Sequence, residues 1–288
     1  MEAHEIEAQE LEERRAYLRR STELTEGLVG PPRRIGVGAG DFGRHVWRTM
    51  VELPGVGRYS GEILRQASFI ITGSTLVIVF MMFLIGTFCG LEGNAALNSY
   101  GASSYVGAYT SWCGLREAGP IMFGYIFAAK VGCGIVAEIG SMKTADELDA
   151  MDAIGVSSTR FIVCTRLVAV WLVVVPLFLI GIAFEQLANF FVVIGQISQS
   201  SLGGFEHVHF SFQDPADLLY ATIKAFAEGT AIVLIATFFG VRARGGPVGV
   251  GAATAMSMVA NLIAIHVISG LLTRVLWSGY SPNAPIGG

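Results

Sequence analysis

The chain has 288 residues, of which 52% are hydrophobic and 15% charged, and its mean hydropathy is +0.57. This composition excludes an ordinary soluble domain and predicts an all-α integral membrane protein. The net charge of -4 and the pI near 5.8 argue against nucleic acid as a partner, because nucleic-acid binding would need a basic face.

The first 66 residues precede the first predicted span and fall into two parts. Residues 1–40 are charged at the start and rich in glycine and proline at the end, which predicts a cytoplasmic extension and linker, with a partner-binding helix as the alternative. No apolar core follows a basic start, so we expect no secretory signal peptide. Apolar and basic residues then recur at helical spacing between Asp41 and Pro54, which predicts an interfacial amphipathic helix within residues 41–66.

Five later segments are apolar over about 20 residues, the length that a helix needs to cross a bilayer. They lie near 69–91, 117–137, 161–184, 218–240 and 252–277, within a predicted five-span domain of residues 67–278 that a short tail, 279–288, follows. Lys and Arg concentrate before the first span, between the second and third, and between the fourth and fifth. The sequence therefore predicts a multi-pass protein of the cytoplasmic membrane with its N-terminus inside and its C-terminus outside.

The connector between the second and third spans is unusually acidic, with five carboxylates between residues 138 and 152. Thr144 followed by Glu147 matches a capping box, which predicts that a helix starts there and ends near Gly155. Leu148, Met151 and Ile154 would lie on its narrow apolar face, with Val156 just after its end. This helix is either a solvated connector or a surface that a cytoplasmic partner grips.

Ionisable residues within the predicted spans are candidates for function because removing them from water is costly. Arg116 and Glu117 are adjacent at the start of the second span, either as an interfacial pair or as part of a site. Lys224 and Glu228 lie one turn apart on the fourth span, where they can neutralise each other or meet a ligand headgroup in a shared cavity.

Several other polar residues receive structural interpretations. We expect Lys130 to extend towards the interface and His266 to be a packing residue. An intramembrane enzyme that uses His266 with a hydroxyl such as Ser269 is a weak alternative, because no nucleophile motif accompanies them. Cys89 and Cys113 could pair, although the pattern favours small buried apolar side chains.

The sequence contains no GxSxG, HExxH, CxxC or Walker A motif. We therefore predict a protein that is not an enzyme, with no catalytic residue, no metal site and no cofactor of its own. Any ATP-driven role would need a partner that binds the nucleotide.

The central stretch from Arg116 to Val156, REAGPIMFGYIFAAKVGCGIVAEIGSMKTADELDAMDAIGV, resembles the signature of the MlaE/YrbE permease family. Members are membrane subunits of mammalian-cell-entry (Mce) type lipid ABC transporters. Further matching pieces follow in order: Leu91-Glu-Gly, Ile223-Lys224, and the run from Gly249 to Thr254. The resemblance covers roughly residues 41–278.

The resemblance implies a five-span permease with an interfacial helix, working in the inner membrane as a homodimer or heterodimer. A cytoplasmic ABC ATPase dimer would bind ATP and Mg, and Mce-domain lipid carriers would meet the permease outside. The cargo would be a membrane lipid of the fatty acid, phospholipid or sterol class. An ion-coupled secondary carrier centred on Lys224 and Glu228 remains the alternative function.

The resemblance also assigns roles to residues. The element at 138–155 would be a coupling helix, whose motif falls on Glu138, Gly140, Met142, Asp146 and Glu147. The family's lipid-cavity positions fall on Arg116, Glu117 and Lys224.

Three departures from the family pattern are visible. Met256 stands where an Arg is common, Ser269 where an acid is frequent, and Glu228 adds a charge where the family is usually apolar. These differences are similar to the division of polar roles between two paralogous permeases in actinobacterial Mce systems.

Overall fold

A computed structural model describes residues 32–197 and 201–278, with side chains described for 38–195 and 201–278. Most of the predicted N-terminal extension and the whole predicted tail, 279–288, lie outside the described residues. All regular secondary structure in the described ranges is helical, which confirms the predicted all-α fold.

Five helical stretches in this part of the chain are long and apolar enough to cross a membrane, as predicted. We number them spans 1 to 5: Gly38–Asn98, Ser103–Thr144, Thr159–Gly195, Pro215–Gly240 and Gly246–Trp277. Each helical stretch extends beyond the apolar segment that predicted it, because helical hydrogen bonds continue into the flanking polar residues.

The spans run alternately between two ends of the bundle. The end that carries residues 145–158 and the turn 241–245 is called the connector end, and the opposite end is called the far end. The helix Glu147–Ala153 lies at the connector end, and the helix Leu202–Ser211 at the far end.

The first described helix starts earlier than predicted. The chain divides into two compact units after residue 47, and the described part of the first unit is helical, with an ion pair between Asp41 and Arg44. The helix is Pro32–Glu52, so the predicted start at Asp41 was wrong, because proline is well suited to the first turn of a helix. A 3-10 segment, Leu53–Tyr59, and the long helix Ser60–Asn98 follow.

Close packing joins the spans of the second unit. Span 1 packs mainly on span 3, and a Cβ atom added at Gly86 would lie 2.0 Å from the backbone oxygen of Glu185. Only glycine allows the two helices this approach. Span 4 packs on spans 2, 3 and 5, so its polar side chains enter the middle of the bundle.

Spans 2 and 3 each contain two π-helical turns, at Cys113–Ala118 and Ala128–Gly132 in span 2 and at Thr159–Cys164 and Phe191–Ile197 in span 3. A π turn carries extra residue length and changes the phase of the side chains that follow. Arg116 and Glu117 lie in the first of these turns, and Lys130 lies in the second.

A disulfide joins Cys89 of span 1 to Cys113 of span 2 at the far end, with 6.1 Å between the two Cα atoms. That separation is typical of disulfides. The preferred interpretation of these two residues as unpaired apolar side chains was therefore wrong. Cys133 and Cys164 are free thiols.

Candidate functional site

The first group of candidate residues lies at the far end, where span 2 meets span 4. Lys224 is fully buried, and its ammonium donates to the backbone oxygen of Arg116 at 2.5 Å and to the Thr273 hydroxyl at 2.8 Å. A third contact, 3.4 Å long, reaches a carboxylate oxygen of Glu117. Three donors on one ammonium are thus matched by three oxygens from spans 2 and 5.

Glu228 does not form the local pair with Lys224 that its spacing allowed, because Lys224 turns to Glu117 instead. Glu228 is fully buried, and neither carboxyl oxygen has a hydrogen-bond partner among the described residues. A Cβ atom at Gly124 would lie 2.7 Å from one of these oxygens, so the carboxyl group packs directly against the backbone of span 2.

Arg116 is held by the start of span 4. Its guanidinium donates to Asp217 at 3.2 Å and lies 5.2 Å from the centre of the Trp112 ring. Asp217 also accepts from the Trp277 indole at 2.7 Å, and forms a capping box with Asp214. The Asp-Pro-Ala-Asp pattern could have revealed this box from the sequence, but the contact to Arg116 could not be foreseen.

Glu117 is the member of this group that faces outwards. Its side chain is 50% exposed, whereas Lys224 is fully buried and Arg116 is 17% exposed. The Glu117 carboxylate therefore lies on an exposed face, and the buried Lys224 ammonium contacts it from inside the bundle.

The second group lies at the connector end, where Glu138 of span 2 meets Arg166 of span 3. The two side chains form an ion pair at 2.7 Å, and Arg166, which is 2% exposed, also donates to the Ile162 backbone oxygen at 2.9 Å. Gly140 packs against Val250 and Ala243, the nearest atom lying 3.0 Å from an added Cβ. Sequence reasoning missed Arg166, because no local spacing relates it to Glu138.

The helix at the connector end differs from the predicted one. The preceding helix continues to Thr144, whose hydroxyl donates to the Ser141 backbone oxygen and caps nothing. Asp146 then adopts a left-handed conformation with φ of 58°, and the helix Glu147–Ala153 follows. The predicted capping box was wrong because the chain turns at Asp146, two residues later than the box requires.

Burial on this helix also departs from the predicted apolar face. Leu148 is buried and Met151 is half-buried, but Ile154 is 78% exposed. Most of the remaining surface of the element is acidic and exposed, through Asp146, Glu147, Asp149 and Asp152. Half-buried Met142 lies just before it.

Hydrogen bonds tie this helix to its neighbours. Asp152 accepts from the backbone nitrogen of Ser158 at 2.8 Å and from its hydroxyl at 2.9 Å, which links the helix to the start of span 3. Lys143 pairs with Asp149 at 2.7 Å. Ser157 in turn donates to Glu52. The connector is therefore a braced element at the end of the spans.

Two polar residues that were given structural interpretations, His266 and Lys130, lie on the surface of the bundle. His266 is exposed, and its Nε2 lies 2.7 Å from the Tyr125 hydroxyl. Lys130 is also exposed, and no ion pair or hydrogen bond to another described residue is found for it. Ser269 is buried with an unpartnered hydroxyl, so the described residues contain no His266–Ser269 pair of the kind that an enzyme would need.

Two further buried groups were missed. Glu185 in span 3 is fully buried, accepts from Asn189 at 3.2 Å and lies against Gly114. Its position at the end of an apolar segment could have identified it. His209 of the helix Leu202–Ser211 is also fully buried and contacts the Thr110 hydroxyl at 3.0 Å. Burial lowers the pKa of His209 to about 4.

A cavity of about 160 Å³ lies beside this histidine at the far end. Its lining is mostly apolar and includes Leu115, Phe190 and Phe210. The side-chain amide of Gln186 also lines it and has no hydrogen-bond partner among the described residues.

Comparison with known proteins identifies the family. A family model described as Permease MlaE matches residues 63–275. A probable ABC transporter permease protein of Rickettsia prowazekii is 27% identical over 219 residues, which are 76% of this chain and 84% of the relative.

Two other relatives come from a bacterium and a plant. The intermembrane phospholipid transport system permease protein MlaE of Haemophilus influenzae is 25% identical over 248 residues, covering 83% of this chain and 91% of the relative. The chloroplast protein trigalactosyldiacylglycerol 1 of Arabidopsis thaliana is 25% identical over 62% of this chain and 51% of its own length. Since the family model covers well over half of a chain with five apolar spans, this protein is a multi-pass membrane permease and belongs to the MlaE family.

Proposed function

We propose that this chain is the membrane subunit of an ATP-driven lipid transporter, in which a cytoplasmic ABC ATPase dimer binds ATP and Mg. The Rickettsia relative is named as a probable ABC transporter permease and the Haemophilus relative as a phospholipid transport permease, which supports both parts of the proposal. Among the lipid classes predicted from the sequence, the second name favours phospholipid.

The observation that carries this proposal is the braced acidic helix Glu147–Ala153. It exposes carboxylates at Asp146 and Glu147, while Leu148 is buried beneath them. The adjoining pair of Glu138 and Arg166 joins the ends of spans 2 and 3. A partner that pulls on the exposed surface would therefore move both spans together.

We infer the orientation of the chain from two independent features. Lys and Arg concentrate at the connector end, which predicts that this end and the N-terminus face the cytoplasm. The disulfide between Cys89 and Cys113 lies at the far end, and disulfides persist in oxidising compartments outside the cytoplasm. Both features support a far end and a C-terminus outside the inner membrane.

We further propose a second permease subunit and an Mce-type lipid carrier as partners. The exposed carboxylate of Glu117 would contribute to a lipid cavity shared by two permease subunits, with the buried Lys224 ammonium 3.4 Å behind it and the neighbouring Arg116 paired with Asp217. The departures at Met256, Ser269 and Glu228 favour a paralogous second subunit. The carrier would deliver or receive lipid at the far end.

The proposal is tested by purifying the chain in mild detergent from its native membrane, identifying an ATPase that co-purifies with it, and then measuring ATP-dependent lipid movement in proteoliposomes. Reversing both charges, Asp146→Lys with Glu147→Lys, should remove ATPase co-purification and lower transport by about tenfold or more. The matched control is Glu206→Lys, which reverses an exposed acid at the far end. Intact ATPase binding and transport in the double variant would refute the coupling role. Transport that needs only an ion gradient would support a secondary carrier instead.

A further inference from the structure

Exposed charged and histidine side chains at span depth are confined to two helices. Within the five apolar segments of the described chain, they lie on span 2, at Glu117 and Lys130, and on span 5, at His266 and Arg274. Spans 3 and 4 also carry ionisable residues in these segments, namely Arg166, Lys224 and Glu228. All three are buried inside the bundle.

The exposed faces of the other helices are apolar. Span 1 exposes Leu76, Phe80 and Phe88, and span 3 exposes Leu172 and Leu187. Such faces suit contact with lipid tails, whereas an exposed ammonium at that depth would be expensive unless water or protein covers it. Span 5 also exposes apolar side chains, among them Val259, Ile263 and Val267, so on the face shared by spans 2 and 5 a polar space is confined to the surroundings of Lys130 and His266.

Tyr125 and His266 meet midway along this face. The Nδ1 atom of His266 lies 2.9 Å from the Leu262 backbone oxygen, which makes Nδ1 the donor and leaves Nε2 to accept from the Tyr125 hydroxyl at 2.7 Å. The hydroxyl can turn from Nε2 to donate to an oxyanion, which exchanges a neutral hydrogen bond for a stronger charge-assisted one.

Lys130 supplies an exposed cation on the same span. It follows Tyr125 by five residues, or about 7 Å along a helix axis, a gap that its flexible four-carbon stem can span. Glu117 lies eight residues, or about 12 Å, in the other direction. Its charge is balanced by Lys224, so it does not oppose an anion lower in the track.

We propose that Tyr125, Lys130 and His266 form a polar track on spans 2 and 5 that binds the oxyanion headgroup of the transported lipid on its way through the membrane. Tyr125 and Lys130 donate to the oxyanion, and His266 accepts from the tyrosine hydroxyl when no oxyanion is bound. The chemistry suits a phosphate or a carboxylate and excludes a neutral sterol as the preferred cargo. This inference rests on the proposed transport function.

The test compares Tyr125→Phe and Lys130→Gln with the matched control Tyr220→Phe, which removes a hydroxyl from span 4. The full complex in proteoliposomes is given phosphatidylglycerol, palmitate or cholesterol, and ATP-driven movement of each is measured. We expect about tenfold slower transport of the oxyanion lipids in both variants and no change in the control. If the transport rate falls for phosphatidylglycerol alone, the track binds the phosphate, and if it falls for palmitate alone, the track binds the carboxylate.

Two results would overturn the track. One is transport by both variants at the rate of the Tyr220→Phe control, and the other is an equal loss for cholesterol. Absence of ATP-driven transport in the unaltered complex would instead count against the proposed function.

A thiol assay tests the track without transport. His266→Cys in a Cys133→Ala background should react with a charged, water-soluble thiol reagent in the membrane. Ile180→Cys, at a 41% exposed position on the apolar face of span 3, should not. Equal reaction, or no reaction at residue 266, would contradict a polar space at this face.

Discussion

Removing Glu138 should destabilise the protein chiefly because it leaves Arg166 buried without its carboxylate. Arg166 is 2% exposed and lies 2.7 Å from Glu138, which is itself 42% exposed. Breaking a fully buried pair costs about 3–5 kcal/mol. Since water reaches the Glu138 side of this pair, we expect Glu138→Ala to lower the free energy of unfolding by about 2–3 kcal/mol.

The double variant separates stability from coupling. Glu138→Ala with Arg166→Met replaces the pair by apolar groups and removes the stranded charge, so its free energy of unfolding should return to within about 1 kcal/mol of the unaltered protein. We expect ATP-driven transport to be low in both the single and the double variant, because neither has the ion pair that links spans 2 and 3. Denaturant unfolding in detergent and transport in proteoliposomes measure the two quantities.

A surface pair supplies the control. Arg65 makes a two-pronged contact with Glu62 at 2.7 Å but is 69% exposed, so Arg65→Met should cost less than about 1 kcal/mol. The reasoning is refuted if Glu138→Ala is no less stable than Arg65→Met. It is also refuted if the double variant is no more stable than the single one.

Three further predictions follow from close contacts and buried polar groups. Gly86→Ala should lower the free energy of unfolding by about 3 kcal/mol, because its Cβ would meet backbone of span 3, whereas Gly73→Ala on the same helix meets nothing within 4 Å and should not destabilise. Lys224→Met should leave the protein folded by circular dichroism but lower lipid transport, since Glu117 loses its buried cation. The pKa of His209 is about 4 when folded and near 6.5 when unfolded, so its stabilising contribution is complete above pH 6.5 and is lost as pH falls towards 4. The free energy of unfolding should fall by about 3 kcal/mol between pH 6.5 and pH 4, and it should fall less in the His209→Gln variant. An equal fall in the variant and the unaltered protein would contradict the role of His209.

The five spans could be predicted from the sequence because an apolar stretch of bilayer length leaves few alternatives. The end of the connector helix near Gly155 was also predictable, since Gly155 adopts a φ of 82° that glycine favours. The start of that helix was not predictable. Thr144 and Glu147 have the spacing of a capping box, but the left-handed turn at Asp146 begins the helix two residues later. Rules based on the spacing of neighbouring residues do not include the tertiary packing that turns the chain here.

The candidate site shows the same division between local and tertiary information. Sequence spacing brought Lys224 and Glu228 together, since neighbours one turn apart on a helix are the only partners that a sequence reveals directly. The folded chain offers Lys224 oxygens from Glu117 and Thr273, which lie about 107 and 49 residues away. Three closely placed oxygens outcompete one local carboxylate, and no spacing rule could anticipate that choice.

Span 2 connects the two groups of candidate residues physically. Glu117 stands near its far end and Glu138 near its connector end, about 30 Å apart along the axis at the usual helical rise. Between them the turn at Ala128–Gly132 is π-helical, and such turns are weaker points in an otherwise stiff helix. A force applied to Glu138 through Arg166 would therefore change the angle between the two halves of span 2 at this turn. Lys130 lies within this π-helical turn. The same motion would therefore move the Lys130 ammonium relative to the Tyr125 hydroxyl and change how tightly the two groups bind an oxyanion.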